Sequence, residues 1–332
     1  MKQIGRCRAH TNIALIKYWG KRNDDLFLPM NSSLSLTLDA FYTDTSVTLD
    51  TDLAEDEFYL NGIKQDEKET TKISRFLNLF RQVAQDNTFA KVESYNHVPT
   101  AAGLASSASA FAALAGATNS ALKLNLDKKT LSTFARQGSG SSTRSIYGGL
   151  VEWHMGEGDL SQTSHAIEID DASWDIGMIV IAINKQQKKL SSRIGMKLTV
   201  ETSPFYPVWV TEAKKDLKAI KEAIKEKDFV KLGEITESNG MKMHATMLGA
   251  TPPISYWEPD SVKAINKVKE IRNNGIPCYV TMDAGPNVKV LCRQSQMSDI
   301  LNKLKESFTN DQLICSKVGE GIKELTDEEW SY

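Results

Sequence analysis

"PTAAGLASSASAFAALAGATNSAL" spans Pro99 to Leu122: a proline, a glycine and a cluster of serines run directly into an alanine-rich apolar stretch. The first four N–H groups of a helix have no intrahelical partner, and the helix dipole leaves that end partly positive. A turn of small residues placed there is a natural anion site. Gly103 admits backbone angles closed to other residues, and Ser106, Ser107 and Ser109 let a phosphate approach while their hydroxyls donate or ligate Mg²⁺. The same residues also fit a plain cap on a buried helix. The stretch is neither GxxxxGK[ST], because no lysine follows the glycine, nor GxGxxG.

Upstream of this turn the chain reads as short strands: "QIGRCRA", "IALIKYW", "SLSLTL", "TSVTL", "EFYLNG" and "AKVESYNH" alternate or are rich in β-branched and aromatic residues. Helices are expected at Lys72–Val83, in the alanine-rich run after Ser106, and at Lys128–Arg136, with strands returning at "YGGLVEWHM" and "IGMIVIAIN", the latter buried on both faces. Further on, "TEAKKDLKAIKEAIKEKDF" sets Leu217, Ile220 and Ile224 on one helix face, and "PDSVKAINKVKEIRNNG" sets Val262, Ile265, Val268 and Ile271 similarly. Strands "IPCYVTMDAG" and "VKVLCR", a helix at Met297–Phe308 and a last strand "QLICSKV" complete an α/β (α+β) chain. The polar segment "NKQQKKLSSRIGMKLTVETS" divides it into an N-terminal domain, 1–183, and a C-terminal domain, 184–332.

Composition narrows the class. With 332 residues, 41% of them hydrophobic, the chain fills two ordinary cores, and a formal net charge of −2 without a basic cluster argues against nucleic acid as a partner. The N-terminus "MKQIGRCRAHTN" lacks the order of an export signal and no apolar run is long enough to span a bilayer, so a cytoplasmic protein without a membrane partner is expected. Cys7, Cys278, Cys292 and Cys315 lack CxxC spacing and sit in strand-like segments, as buried reduced thiols do. The five histidines form no HExxH pair, so no transition-metal site is expected.

Three more stretches carry donors. "TNIALIKYWGKR" holds Asn12, Lys17, Tyr18, Trp19, Gly20, Lys21 and Arg22, cations past a strand and at a tight turn. "ARQGSGSSTRSIYGGLVEW" offers Ser139, Gly140, Ser141 and, three residues on, Arg144, a set able to bind a diphosphate through hydroxyls while a guanidinium forks onto a carboxylate. In "YVTMDAGPNVKV", Asp283 ends an apolar strand, either as a turn former or as a carboxylate at the mouth of a cleft.

The Pro99–Ala108 segment resembles the P-x-x-x-G-L-x-S-S-A phosphate loop of the GHMP kinase superfamily, and the three further motifs, in order, resemble the diphosphomevalonate decarboxylases within it. The resemblance extends through "KKLSSRIGM" and "VGEG". It departs at the substrate turn, where Ser142 stands in place of a frequent alanine, and before the first long helix, where Lys72 is the nearest match to a basic residue of some members.

The resemblance implies a GHMP kinase fold, with an N-terminal part like ribosomal protein S5 domain 2 and a ferredoxin-like C-terminal part. It implies ATP-dependent decarboxylation of (R)-5-diphosphomevalonate to isopentenyl diphosphate, ADP, phosphate and carbon dioxide, with ATP as co-substrate, Mg²⁺, and a homodimer. Asp283 is then the base at the C3 hydroxyl, and Arg144, supported by Asn12, fixes the substrate carboxylate, with Lys21 completing the catalytic set. Tyr18, Trp19, Gly20, Lys21, Ser139, Gly140, Ser141, Ser192 and Arg193 hold the substrate. Ser94, Asn96, Gly103, Leu104, Ala105, Ser106, Ser107 and Ser109 take the nucleotide, Ser106 also meeting Mg²⁺, and Lys188, beside Lys185 and Lys189, closes on the γ-phosphate. Two rivals share the fold: a kinase that stops at a 3-phospho product, and an idle nucleotide-binding regulator.

Overall fold

The computed structural model describes residues 2–97, 107–184 and 190–332. Its strands are β1 (Gln3–Ile16), β2 (Lys21–Asn23), β3 (Leu28–Pro29), β4 (Ser33–Leu49), β5 (Glu57–Leu60), β6 (Ile63–Lys64), β7 (Ala90–His97), β8 (Leu150–Trp153), β9 (Ala166–Asp170), β10 (Gly177–Ile181), β11 (Cys278–Met282), β12 (Val288–Cys292), β13 (Leu313–Ser316) and β14 (Lys323–Glu324). The α-helices are α1 (Glu67–Ala84), α2 (Ser107–Ala121), α3 (Lys128–Gly138), α4 (Ser192–Thr202), α5 (Tyr206–Glu226), α6 (Phe229–Leu248), α7 (Pro259–Asn273) and α8 (Met297–Leu304), and a 3₁₀ turn covers Gly140–Ile146.

Two long strands organise the N-terminal half. β1 and β4 lie antiparallel over most of their length, with register shifts between His10 and Asn12 and between Ala14 and Ile16. Such irregularities bend a strand without ending it, so the segments that read as separate short strands are two continuous ones. Among the described residues the larger sheet runs β14-β1-β4-β7-β5-β6, with β8 on β4 and β9 on β8; the smaller runs β11-β12-β10-β13. Helices α1, α2 and α3 cover one face of the large sheet through Phe76, Phe80, Ala113, Leu131 and their neighbours.

β10 is buried on both faces, as its sequence predicts, and its alternation shows how. Met178 and Val180 pack toward β1, β4 and α5, whereas Ile179 and Ile181 pack toward α7 and α8. Asp66 caps α1 by accepting from the Glu69 N–H, and Asp127 caps α3 by accepting from the Thr130 N–H.

The sequence reading misses two helices. The supposed linker contains α4, capped by Ser191. The helix expected to run to Phe229 instead ends at Glu226, with Lys227 in left-handed backbone, and Asp228 caps α6. The buried face of α6 carries Gly233, Thr236, Asn239, Gly240 and His244 beside its larger apolar residues, so helical spacing is present without a hydrophobic stripe. α8 stops at Leu304 rather than Phe308, and Val262 is exposed. Cys7, Cys278 and Cys292 are buried; Cys315 is not, because β13 is an edge strand and this residue faces outward.

Candidate active site

A cleft of about 960 Å³ opens where the end of β1, the 3₁₀ turn, the start of α2, the start of α4 and the β11–β12 turn converge. This is at the upper end of ordinary small-molecule sites, roughly 300–1,000 Å³, and suits more than one ligand.

Arg144 anchors one wall. It is 2% exposed; its Nε donates to Asn12 Oδ1 at 3.2 Å and Nη1 donates to Ser33 Oγ at 2.6 Å. Asn12 is fixed in turn, its Nδ2 donating to the Ser141 carbonyl at 2.9 Å and to Ser145 Oγ at 2.8 Å. Burial lowers the Arg144 pKa to about 10, against the opposing pull of Asp283, so the guanidinium stays charged at neutral pH. No carboxylate is ion-paired with it among the described residues, and it faces the cleft.

Asp283 forms the facing wall. Its Oδ1 accepts from Lys17 Nζ at 2.7 Å and its Oδ2 lies 3.0 Å from Lys289 Nζ. Both lysine side chains are almost fully buried, at 2% and 4%, while the carboxylate is 38% exposed to the cleft. Burial alone pushes the Asp283 carboxyl up, but the two ammonium groups prevail and hold it well below the usual carboxylate range. Burial likewise drives Lys17 down to about 8, partly offset by Asp283. His244, enclosed near Lys17, is pushed down to about 4 by burial first and by that ammonium second, and is neutral.

A row of hydroxyls joins the helix start to the substrate turn. Ser139 Oγ donates to Ser107 Oγ at 3.3 Å and lies 3.3 Å from Ser141 Oγ. Tyr18 and Trp19 line the cleft, while Tyr18 Oη and Trp19 Nε1 are themselves buried without a hydrogen-bond partner among the described residues.

The N-terminal part matches the family model of the diphosphomevalonate decarboxylase-like N-terminal domain over residues 9–166, and the remainder that of the mevalonate 5-diphosphate decarboxylase C-terminal domain over 178–329. The chain belongs to the diphosphomevalonate decarboxylase family. It is 37% identical to the diphosphomevalonate decarboxylase of Ganoderma lucidum over 90% of this chain and 81% of that protein. It is similar to the solved mevalonate diphosphate decarboxylase of Staphylococcus aureus, at 49% identity and a TM-score of 0.95 over 98% and 99% of the two chains. It is also similar to the solved chain MDDEF in complex with MVAPP, AMPPCP and magnesium, at 56% identity and a TM-score of 0.93 over 98% and 99%. The reaction is therefore that of diphosphomevalonate decarboxylases, ATP-dependent decarboxylation on a GHMP kinase fold.

Within this decarboxylase, Asn12, Tyr18, Trp19, Lys21, Ser107, Ser139, Gly140, Ser141, Arg144, Ser192, Arg193 and Asp283 all line the one cleft. Lys21 Nζ sits 3.0 Å from Asp24 Oδ1 and 4.0 Å above the Phe27 ring centre, and Arg193 covers the same ring. Gly20 shapes the turn before Lys21: its φ is +106°, and a Cβ there would stand 2.0 Å from Tyr206 Oη. Arg22 is used structurally, donating to the Gly158 and Pro29 carbonyls.

Three residues expected at the nucleotide, Ser94 and Asn96 on β7 and Ser109 on α2, make hydrogen bonds within the protein. Ser94 shares a hydrogen bond with Thr45, and Thr43 Oγ1 bridges Asn96 Oδ1 at 2.9 Å and Ser109 Oγ at 2.8 Å. Gly103, Leu104, Ala105, Ser106, Lys185, Lys188 and Lys189 lie outside the described residues.

Lys72 lines the cleft from α1, ion-paired to Glu69. Sequence reasoning missed the pairing of Lys17 with Asp283, and it missed Lys289 altogether. One signal was available for the latter: a lysine inside the apolar run "VKVLC" is a buried charge, and buried lysines are paired.

Proposed function

We propose that this cleft carries the decarboxylation, with Arg144 and Asp283 addressing the two groups borne by C3 of diphosphomevalonate. The observation that carries this reading is their shared cleft: a charged guanidinium with no ion-paired carboxylate among the described residues faces it, as does a carboxylate held anionic.

Hydroxide leaves a tertiary carbon poorly, so the C3 oxygen is first phosphorylated; loss of that phosphate then draws electrons from the carboxylate-bearing bond as carbon dioxide departs. Phosphoryl transfer passes through a loose transition state in which positioning and charge neutralisation dominate. The hydroxyl proton becomes strongly acidic only as the oxygen bonds to phosphorus. A carboxylate with low proton affinity therefore suffices as acceptor: Asp283 orients the hydroxyl early and takes its proton late.

Arg144, its Nε and Nη1 fixed by Asn12 and Ser33, presents its remaining edge to the substrate carboxylate. Tyr18, Lys21, Ser139, Ser141, Ser192 and Arg193 hold the diphosphate tail, whose binding aligns the reacting end.

The nucleotide phosphates meet the start of α2 at Ser107. Mg²⁺ neutralises their charge when bound. Among the described residues there is no cluster of three or more metal-ligating His, Cys, Asp or Glu, and the row of hydroxyls from Ser107 through Ser139 to Ser141 would suit a cation held mainly by phosphate oxygens and water. Ser106 and Lys188 join this nucleotide set, together with a division at 183/184, a homodimeric state and a cytoplasmic location, as parts of the same reading.

Incubation with ATP and diphosphomevalonate tests it. Carbon dioxide with ADP supports decarboxylation at this cleft; ADP alone indicates a kinase that stops at the phosphorylated product, and neither product indicates a regulator.

A further inference from the structure

Lys289 stands on β12 opposite Thr281 of β11, and Asp283 lies two residues beyond Thr281 on the same hairpin face. Its neighbours Val288, Val290, Leu291 and Cys292 are all fully buried, and Lys289 itself is 3% exposed. An ammonium in such a setting needs acceptors, and two are at hand: Asp283 Oδ2 at 3.0 Å and the Asn287 carbonyl at 3.3 Å.

The two lysines at Asp283 are not equivalent. Lys17 comes from the end of β1, on the other half of the chain, and holds Oδ1; Lys289 belongs to the hairpin that carries Asp283 and holds Oδ2. With each oxygen tied to a separate cation, the carboxylate plane cannot rotate freely about its last bond. Resting on the role assigned to Asp283 above, we propose that Lys289 is a positioning residue of the decarboxylase, fixing the orientation of the Asp283 carboxylate toward the C3 hydroxyl.

The charged and titratable groups around Asp283 come from four directions: Lys17 from β1, Lys289 from β12, Arg144 from the 3₁₀ turn, and the neutral His244 from α6. Removing Lys289 leaves Lys17 as the single ammonium in contact and frees one carboxylate oxygen. The carboxylate then turns out of line more often and binds a proton more readily.

The test compares wild type, Lys289→Met and Lys289→Arg in steady-state release of ADP and carbon dioxide at neutral pH. Lys289→Met is expected to lower kcat roughly 10–100-fold while each KM stays within about threefold. Lys289→Arg, which keeps the charge, should recover most of the rate. If the Met variant does not fold, Lys289→Gln gives the same readout. A Met or Gln variant turning over within about threefold of wild type overturns the proposal, as does a loss carried by a rise in either KM, or a Lys289→Arg variant as slow as Lys289→Met, the marks of a merely structural ion pair. Absence of carbon dioxide from the wild-type reaction, with all variants folded, would overturn the reaction assigned to the cleft and this inference with it.

Discussion

Lys17 Nζ donates to Asp283 Oδ1 at 2.7 Å across 266 positions of sequence. One residue follows the strand β1 that starts the large sheet; the other follows β11 in the small one. The pair therefore exists only when both halves of the chain are assembled, and so does the wall of the cleft that addresses the C3 hydroxyl.

Asp283→Asn nearly preserves shape while removing the anion that Lys17 and Lys289 share. Turnover should fall about 10²–10⁴-fold through loss of the proton acceptor. Leaving buried ammonium groups without their counter-ion should also cost about 3–5 kcal/mol of stability. Steady-state kinetics and denaturant unfolding read the two effects separately, and a fall in kcat of less than tenfold would remove Asp283 from the proton-transfer role.

Lys17 gives the free enzyme a titration near pH 8. The kcat/KM profile for diphosphomevalonate should carry an alkaline limb there, and Lys17→Met should lack it, because this parameter reports groups of the free enzyme. The sign for stability follows from the same shift: the folded value lies below the ordinary 10.5, so unfolding takes up a proton between about pH 8 and 10.5. The unfolding free energy of wild type minus that of Lys17→Met should thus rise through this window. A flat difference would show that Lys17 does not titrate there.

Arg144→Lys keeps a positive charge but cannot reach Asn12, Ser33 and a substrate carboxylate with one planar fork. We expect kcat/KM for diphosphomevalonate to fall by about 10²-fold or more, equivalent to roughly 2.7 kcal/mol of transition-state stabilisation, while KM for ATP changes little. Equal losses toward both substrates would argue against a contact with the carboxylate.

Gly140→Ala places a methyl 2.9 Å from the Tyr18 ring and 3.0 Å from Trp153. Tyr18 must shift, and with it a part of the cleft lining. A rise in KM for diphosphomevalonate of about tenfold is expected, with folding cooperativity retained in a thermal melt. An unchanged KM would detach Tyr18 from the substrate.

Chelation of Mg²⁺ should abolish phosphoryl transfer yet leave diphosphomevalonate binding, measured by calorimetry, within about threefold, since no acidic cluster among the described residues depends on the cation. Loss of substrate binding on chelation would mean that the metal also builds the substrate pocket.

The chain by itself determined what depends on near neighbours. Asp66 and Asp127 cap their helices through N–H groups three residues on, and β10 is written as a continuous apolar run. The ordered motifs around Ser107, Ser139, Arg144 and Asp283 were likewise legible, because glycine and serine turns act through local backbone geometry. Tertiary structure alone decided which charges meet. Nothing local to Lys17 shows that it joins Lys289 on one carboxylate, nor that Thr43 bonds both Asn96 and Ser109. Helix α6 belongs with these: its buried face of Gly240, Asn239 and His244 gains meaning only where Asn239 accepts the Lys17 N–H and Gly240 leaves room for the lysine stem. Hydrophobic periodicity records which face leaves water, whereas a buried polar group such as Lys17 is paired by a residue 266 positions away.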